Sequence, residues 1–344
     1  MTATGIRTGV IGYGLGGMAF HAPLVNAVPE LALAAIATSR VDQVHERYPG
    51  MTVTSAEAMI ADPSIALIVI STPNDSHYPL ARAALEAGKH VVIDKPFTNT
   101  VEDGEALIAL AKERGLVLSA FHNRRWDSDF LTVQRLLDEG RLGDVRLAEF
   151  RWDRFRPEVT PLWRDQPEIG SGMLADLGPH LIDQALVLFG MPEALHADIA
   201  VQRDNARTDD YFVVTLHYGR KRVVCSASRL IVSPSPRFAL HGTEGNFVKY
   251  GLDPQEPMMK IGGRADDPAF GVEDAANYGL LSLPDGTQQR IVSERGDYKR
   301  YYAGVARAIA DGSPPPVTAE DAVTGLRIME AARESAREGR RILL

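Results

Sequence analysis

Residues 7–22 read RTGVIGYGLGGMAFHA, and the interpretation of the whole chain turns on them. Thr8 to Ile11 is a short apolar run suited to a buried strand. Gly12, Gly14 and Gly17 follow in the spacing GxGxxG, and Met18, Ala19 and Phe20 open a helix. In a dinucleotide site each glycine has a physical task. The first permits the tight turn, the second lets a pyrophosphate approach the backbone, and the third lets helix pack close on strand. The helix start adds unpaired N–H groups and the positive end of a dipole, both suited to phosphate. GxGxxG alone is common; its place between a strand and a helix predicts a dinucleotide site rather than a plain strand–helix turn.

Outward from this turn, Leu31 to Ala37 reads as a second strand, followed by Thr38, Ser39 and Arg40. NAD enzymes of this type place a carboxylate here for the ribose 2′-OH, yet no acid occurs from Leu31 until Asp42. A hydroxyl and a guanidinium suit a 2′-phosphate instead, which predicts NADP; a solvated loop arginine is the other reading. Thr54 to Glu57 spells a capping box for a short helix. Ile65 to Ser71 is almost unbroken apolar, as in a strand buried on both faces of a parallel sheet. Thr72, Pro73 and Asn74 end it, with His77 following. Loops at such strand ends are where ligands bind in open α/β sheets, so these four residues are expected at the cofactor. A helix through Ala81 to Ala87, a strand at His90 to Asp94, a helix from Thr100 to Arg114 and a strand at Leu116 to Phe121 complete the series. The alternation predicts a doubly wound parallel (Rossmann) sheet over residues 1–121.

From about His122 the pattern changes. After a helix over Asp127 to Glu139, the strand candidates alternate apolar and polar residues: Val145 to Trp152, Leu195 to Gln202, Tyr211 to Tyr218 and Arg222 to Leu230. Alternation, with turns at Gly219 and Gly242–Gly245, predicts an α+β domain over 122–344 with a largely antiparallel sheet. No element is assigned between Gly251 and Arg290. Helices near Tyr298 to Ala310 and from Thr318 to Glu338 close the chain.

Composition narrows the function. The 344 residues are 45% hydrophobic and 24% charged, ordinary for a globular protein, and the net charge of −8 disfavours nucleic acid or an anionic membrane as partner. Cys225 is the single cysteine, which rules out an intrachain disulfide and a thiolate metal cluster. No signal peptide and no run of about 18 apolar residues is evident, so the expected location is cytoplasmic.

Four groups of residues carry candidate chemistry. Lys95 stands at the end of a predicted buried strand, before Pro96; it is either a donor to a substrate oxygen near the nicotinamide or a surface lysine in a turn. Asp176 and His180 are four apart, so on a helix they share one face, and the carboxylate would orient the imidazole and favour its protonated form. Asp176 as an N-cap with His180 packed between domains is the alternative. No further ligand is evident for a metal among Asp176, His180 and Asp183, and none is expected. Asn123, Arg124 and Arg125 read either as cofactor and substrate ligands or as salt-bridge formers. Arg154, Phe155 and Arg156, with Trp163 and Arg164 downstream, are candidate substrate lining.

Together the glycine turn, TPN with a histidine three residues on, the DKP triplet at 94–96, HNRRWDSDF and DLGPHLIDQ resemble the glucose–fructose oxidoreductase/inositol dehydrogenase (Gfo/Idh/MocA) family over essentially the whole chain. RFRPEV, HGTEGNFVKYGLDPQE and PVTAED are most similar to its NADP-dependent scyllo-inositol dehydrogenases. The family triplet is commonly EKP, where this chain has Asp94. The resemblance implies that the glycine turn binds pyrophosphate, that Lys95 lies beside the nicotinamide, and that Asp176 and His180 are a proton-transfer pair. It also implies a homo-oligomer formed through the second-domain sheet. The expected activity is NADP-dependent interconversion of a secondary alcohol on a cyclic polyol or sugar with its ketone, scyllo-inositol/2-keto-myo-inositol first. An NADPH-dependent reductase of another sugar or small keto compound is the alternative enzyme, and a non-catalytic NADP(H)-binding sensor the alternative class.

Overall fold

The computed structural model describes residues 5–160, 165–167 and 170–344. They form two compact units, each assembled from separated stretches. The first comprises Met1–Trp126, Gln255–Phe270 and Asp297–Val323; the second comprises Asp127–Pro254, Gly271–Gly296 and Thr324–Leu344. The boundary expected after Phe121 falls near the end of the first stretch, but two later segments return to that unit.

The first unit follows the predicted alternation: β1 (Ile6–Ile11), α1 (Ala22–Ala27), β2 (Leu31–Ala37), α2 (Val41–Arg47), β3 (Thr52–Thr54), α3 (Ala56–Ala61), β4 (Leu67–Ile70), α4 (His77–Glu86), β5 (His90–Ile93), α5 (Val101–Arg114) and β6 (Leu118–Ala120). All six strands are parallel, in the order β3-β2-β1-β4-β5-β6. Every residue of β4 is fully buried, as its unbroken apolar sequence requires. The strand order reverses between β1 and β4, which puts the glycine turn and the loop after β4 side by side at the switch point.

Two local expectations are corrected. The helix after the glycine turn opens at Gly16, two residues before Met18, through a π-helical turn over Gly16–His21 that runs into α1. The cap of α3 is Ser55, whose side chain accepts from Ala58 N–H at 3.1 Å, and not Thr54. Thr54 is paired with Ala37 as the last residue of β3, so its backbone is committed to the sheet.

The second unit begins with α6 (Ser128–Asp138), β7 (Val145–Arg151), α7 (Met173–Phe189), β8 (Ala194–Ala200), β9 (Tyr211–Tyr218), β10 (Lys221–Ser228), β11 (Phe238–Gly242) and β12 (Asn246–Lys249). The stretch 251–290, whose sequence pattern assigns no element, contains α8 (Gln255–Lys260), β13 (Gly279–Ser282) and most of β14 (Gln288–Ile291). Then come α9 (Lys299–Asp311), α10 (Ala319–Glu338) and β15 (Ile342–Leu343). Nine strands form one sheet, in the order β14-β13-β12-β11-β7-β10-β9-β8-β15. Among the described residues, only the β7–β10 pair of this sheet is parallel. Cys225 on β10 donates through Sγ to the Leu181 carbonyl at 3.5 Å, so α7 covers the face that carries Cys225. Phe150 and Val214 sit opposite Cys225 in register and share that face. Burial pushes the Cys225 thiol up to about 12, which leaves it a packed, unreactive side chain.

Candidate active site

The glycine turn meets the geometric demands of a dinucleotide cradle. Gly12 has φ 101°, which disfavours any side chain, and a Cβ there would strike the Ser71 carbonyl oxygen. A Cβ at Gly17 would strike the Gly12 carbonyl oxygen, so the helix approaches the strand as closely as backbone allows. At Gly14 a Cβ would meet nothing within 4 Å, so that face of the turn is open to an approaching group. Gly16, not singled out from the sequence, is also crowded, but by side chains: its Cβ would run into Ser71 Oγ and Asp94 Oδ2. Those two side chains lie directly beneath the turn.

Ser39 and Arg40 follow β2 and are exposed. Arg40 reaches back to the turn, its Nη1 donating to the Tyr13 carbonyl at 3.3 Å. Gly12 N–H donates to the Ala37 carbonyl at 2.9 Å, which ties the end of β2 to the same place. A guanidinium is therefore held beside the turn, while Asp42 lies exposed in the first turn of α2. The chemistry of this donor set fits a phosphate better than a ribose diol.

Thr72, Pro73 and Asn74 occupy the loop after β4 as expected, with Ser76 Oγ donating to Thr72 Oγ1 at 2.7 Å. His77, expected at the cofactor, bridges two loops within the protein. It is 1% exposed, and its ring nitrogens face the carbonyls of Pro96, at 2.8 Å, and Thr72, at 3.0 Å. It thus joins the loops after β4 and β5. Lys95 follows β5, with its N–H donating to Asp94 Oδ1 at 2.8 Å and a cis bond to Pro96. The other oxygen, Asp94 Oδ2, accepts from Ser71 Oγ at 3.2 Å and pairs with the buried His21 Nε2 at 3.2 Å. His21 Nδ1 in turn meets Tyr302 Oη at 2.6 Å. Burial by itself would raise the Asp94 pKa, but the charge and hydrogen bond of His21, with Lys95, hold it down at about 2. An ionised carboxylate therefore anchors the main chain of Lys95.

Asn123, Arg124 and Arg125 form a short 3₁₀ turn at the end of the first stretch. Both arginines form salt bridges, with partners inside the first unit rather than across a domain boundary. Arg124, 7% exposed, pairs with Glu256 on α8 and donates to Tyr298 Oη at 2.7 Å. Arg125 donates to Asp321 Oδ2 at 3.0 Å and to the Pro316 carbonyl at 3.3 Å. They bind the returning segments 255–270 and 297–323 to the first unit, which explains guanidinium groups at this point in the sequence. Asn123 is buried in the same turn.

In the second unit, α7 begins at Met173 with Gly172 as N-cap, so Asp176 is inside the helix and is not its cap. Asp176, His180 and Asp183 consequently share one face. His180 is 6% exposed, and its ring centroid lies 6.0 Å from that of Trp152. The Arg154 guanidinium stands 5.8 Å from the Trp152 ring, and Arg237 packs against it at 4.9 Å. Arg237 also donates to Gln184 Oε1 on α7 at 2.6 Å. The structure thus places His180 and Arg154 against Trp152, whose part the sequence does not announce, with Asp176 on the His180 face of α7. The signal for Trp152 was position, at the end of an alternating strand one residue beyond β7. Phe155 is 54% exposed and bridges to Leu230. Trp163 and Arg164 lie outside the described residues. Among the described residues, no three His, Cys, Asp or Glu side chains are grouped to hold a metal, and no helix is long and apolar enough to cross a membrane.

Known proteins resemble the chain throughout. Residues 6–122 match the model of the oxidoreductase family's NAD-binding Rossmann fold, and residues 134–344 match that of its C-terminal alpha/beta domain. Among similar proteins, scyllo-inositol 2-dehydrogenase (NADP(+)) IolW of Bacillus subtilis is 41% identical over 98% of this chain and 96% of its own length. The uncharacterized oxidoreductase YdgJ of Escherichia coli is 46% identical over 96% of each. The solved structure of the oxidoreductase yvaA from Bacillus subtilis has a TM-score of 0.97 at 41% identity, covering 100% of this chain and 99% of the other. With both sheets, the glycine turn and both family models in agreement, the chain belongs to the Gfo/Idh/MocA family of oxidoreductases and carries an NAD(P)-binding Rossmann domain.

Proposed function

We propose that this oxidoreductase uses NADP to interconvert a secondary alcohol of a cyclic polyol or sugar and its ketone, with scyllo-inositol/2-keto-myo-inositol as the first substrate pair. The observation that carries the proposal is the placement of Asp176 and His180 on one face of α7, with His180 against Trp152, the ring that Arg154 also meets. A binding-only protein has no need of an acid–base pair there. The name of the IolW relative supports the substrate, and the guanidinium held beside the glycine turn supports NADP.

Bound NADP would supply the hydride acceptor. The glycine turn would hold its pyrophosphate through backbone N–H groups, and Ser39 with Arg40 its 2′-phosphate. His180 takes the proton from the substrate hydroxyl, and Asp176 stabilises the imidazolium that results. Lys95, its backbone anchored by Asp94, donates to the substrate oxygen and stabilises charge developing there. The chain self-associates through the sheet face turned away from α7.

The test is a panel assay that follows reduced nicotinamide absorbance with NADP or NAD and scyllo-inositol, myo-inositol and simple sugars. Oxidation of scyllo-inositol with a clear NADP preference is the expected result. NADPH-linked reduction of another sugar ketone alone would move the substrate, and binding of NADP(H) without turnover of any compound would favour a sensor.

A further inference from the structure

Two consecutive residues hold the start of α7 and the segment beyond β7. Asp209 accepts the Leu174 N–H through Oδ2 at 2.7 Å, and its main-chain carbonyl accepts the Met173 N–H at 2.9 Å. A carboxylate from another loop therefore meets the unpaired donors of the helix start, where the dipole favours negative charge. Gly172 has φ 93°, and a Cβ on it would run into Asp209 Oδ1. Asp176 lies in this first turn, and its N–H donates to the Gly172 carbonyl at 3.0 Å.

Asp210 faces different partners. It accepts from Gln202 N–H at 2.7 Å, Arg203 N–H at 3.1 Å and Arg203 Nε at 2.8 Å. The Arg203 side chain, 1% exposed, also donates to Asp165 Oδ1 at 2.8 Å and to the carbonyls of Arg156 at 3.3 Å and Glu158 at 2.9 Å. The segment so gripped runs on directly from Arg154 and Phe155.

We propose that Asp209 is a positioning residue for the oxidoreduction, setting the first turn of α7 and the Asp176 carboxylate, while Asp210 acts through Arg203 to set the Arg154 segment beside the same helix. One dipeptide then registers both sides of the substrate end. The inference rests on Asp176 and His180 being the proton-transfer pair. Burial raises the Asp209 pKa, against the Leu174 N–H and the charge of Arg333.

The experiment is a double-mutant cycle on kcat and KM for the polyol, using Asp209→Ala, Asp176→Asn and both, with NADP affinity and thermal unfolding measured alongside. Asp209→Ala is expected to lower kcat on the order of 10–100-fold. It should leave NADP affinity unchanged and add no further loss in the Asp176→Asn background. Asp209→Asn keeps an acceptor for the Leu174 N–H and is expected to restore most of the rate. Wild-type kcat in Asp209→Ala, or a loss fully additive with Asp176→Asn, overturns the positioning role. If Asp209→Ala does not fold, Asp209→Ser takes its place, since its shorter side chain withdraws the carboxylate from the Leu174 N–H while keeping a polar group in the loop, with the same non-additivity expected. Arg203→Lys keeps the charge without the fork and should raise KM severalfold at constant kcat; an unchanged KM overturns the Arg203 part. Wild-type turnover in Asp176→Asn itself would instead overturn the proton-pair reading, and this inference with it.

Discussion

His180 stands one helical turn beyond Asp176 on α7 and against Trp152, a placement that makes single-residue tests decisive. A positioned general base contributes about 10²–10⁴-fold, so His180→Ala should lower kcat by that order with NADP affinity nearly unchanged. Polyol turnover near the wild-type rate in that variant would place the base elsewhere. Arg40 offers a second test, since hydrogen bonds to a charged group contribute roughly 1.5–3 kcal/mol. Arg40→Ala should therefore reduce kcat/KM for NADP about 10- to 100-fold and leave NAD almost untouched; equal losses with both cofactors would remove the phosphate assignment. Asp94 makes a pH-dependent prediction. Its pKa, held at about 2 against an ordinary 3.8, is a depressed carboxylate value. Its stabilising contribution is present above pH ~4 and lost as pH falls towards ~2, and amounts to roughly 2 kcal/mol. Denaturant unfolding of Asp94→Asn should show that deficit at neutral pH and little of it near pH ~2; the same deficit at both would refute the ion-pair account.

Elements are joined here by side chains whose partners lie far along the chain. Arg124 reaches Glu256 on α8 across 132 positions, and Arg125 reaches Asp321 on α10 across 196. Burial opposes ionisation of Glu256, but Arg124, with help from Lys260, holds its pKa at about 2. Removing Arg124 leaves Glu256 with Lys260 as its remaining cation and costs the charged hydrogen bonds Arg124 makes, so Arg124→Met should destabilise by roughly 1.5–3 kcal/mol. Because the guanidinium is engaged within the protein, the NADP dissociation constant of the folded variant should barely change. A large loss of cofactor affinity with intact stability would return Arg124 to the cofactor. Local signals at this scale were readable where neighbours in sequence make the bonds. Thr100 accepts from Asp103 N–H and Thr318 from Asp321 N–H, as a cap three residues upstream must. Thr54 misled because strand pairing had already claimed it.

Across the whole molecule, the nine-stranded sheet has one face covered by α7 and another bearing Val213, Thr215 and Val224. Association of copies through that second face predicts an oligomer in sedimentation, and Val224→Glu with Val213→Lys should shift it to a smaller species. A wild-type monomer at micromolar concentration would refute this. The doubly wound sheet, the glycine turn and the antiparallel character of the second sheet were all legible in the amino-acid order, because they follow from periodicity and from backbone freedom at Gly12 and Gly17. The pairing of Asp176 with His180 on one face was legible conditionally, needing only a helix that had already begun. The tertiary structure alone decided that His77 is a clamp, that Arg124 and Arg125 hold returning segments, and that Asp209 caps α7 from 35 residues away. The reason is physical: a buried polar group must find a partner, but which distant group supplies it depends on how the chain returns, and no local pattern encodes that return.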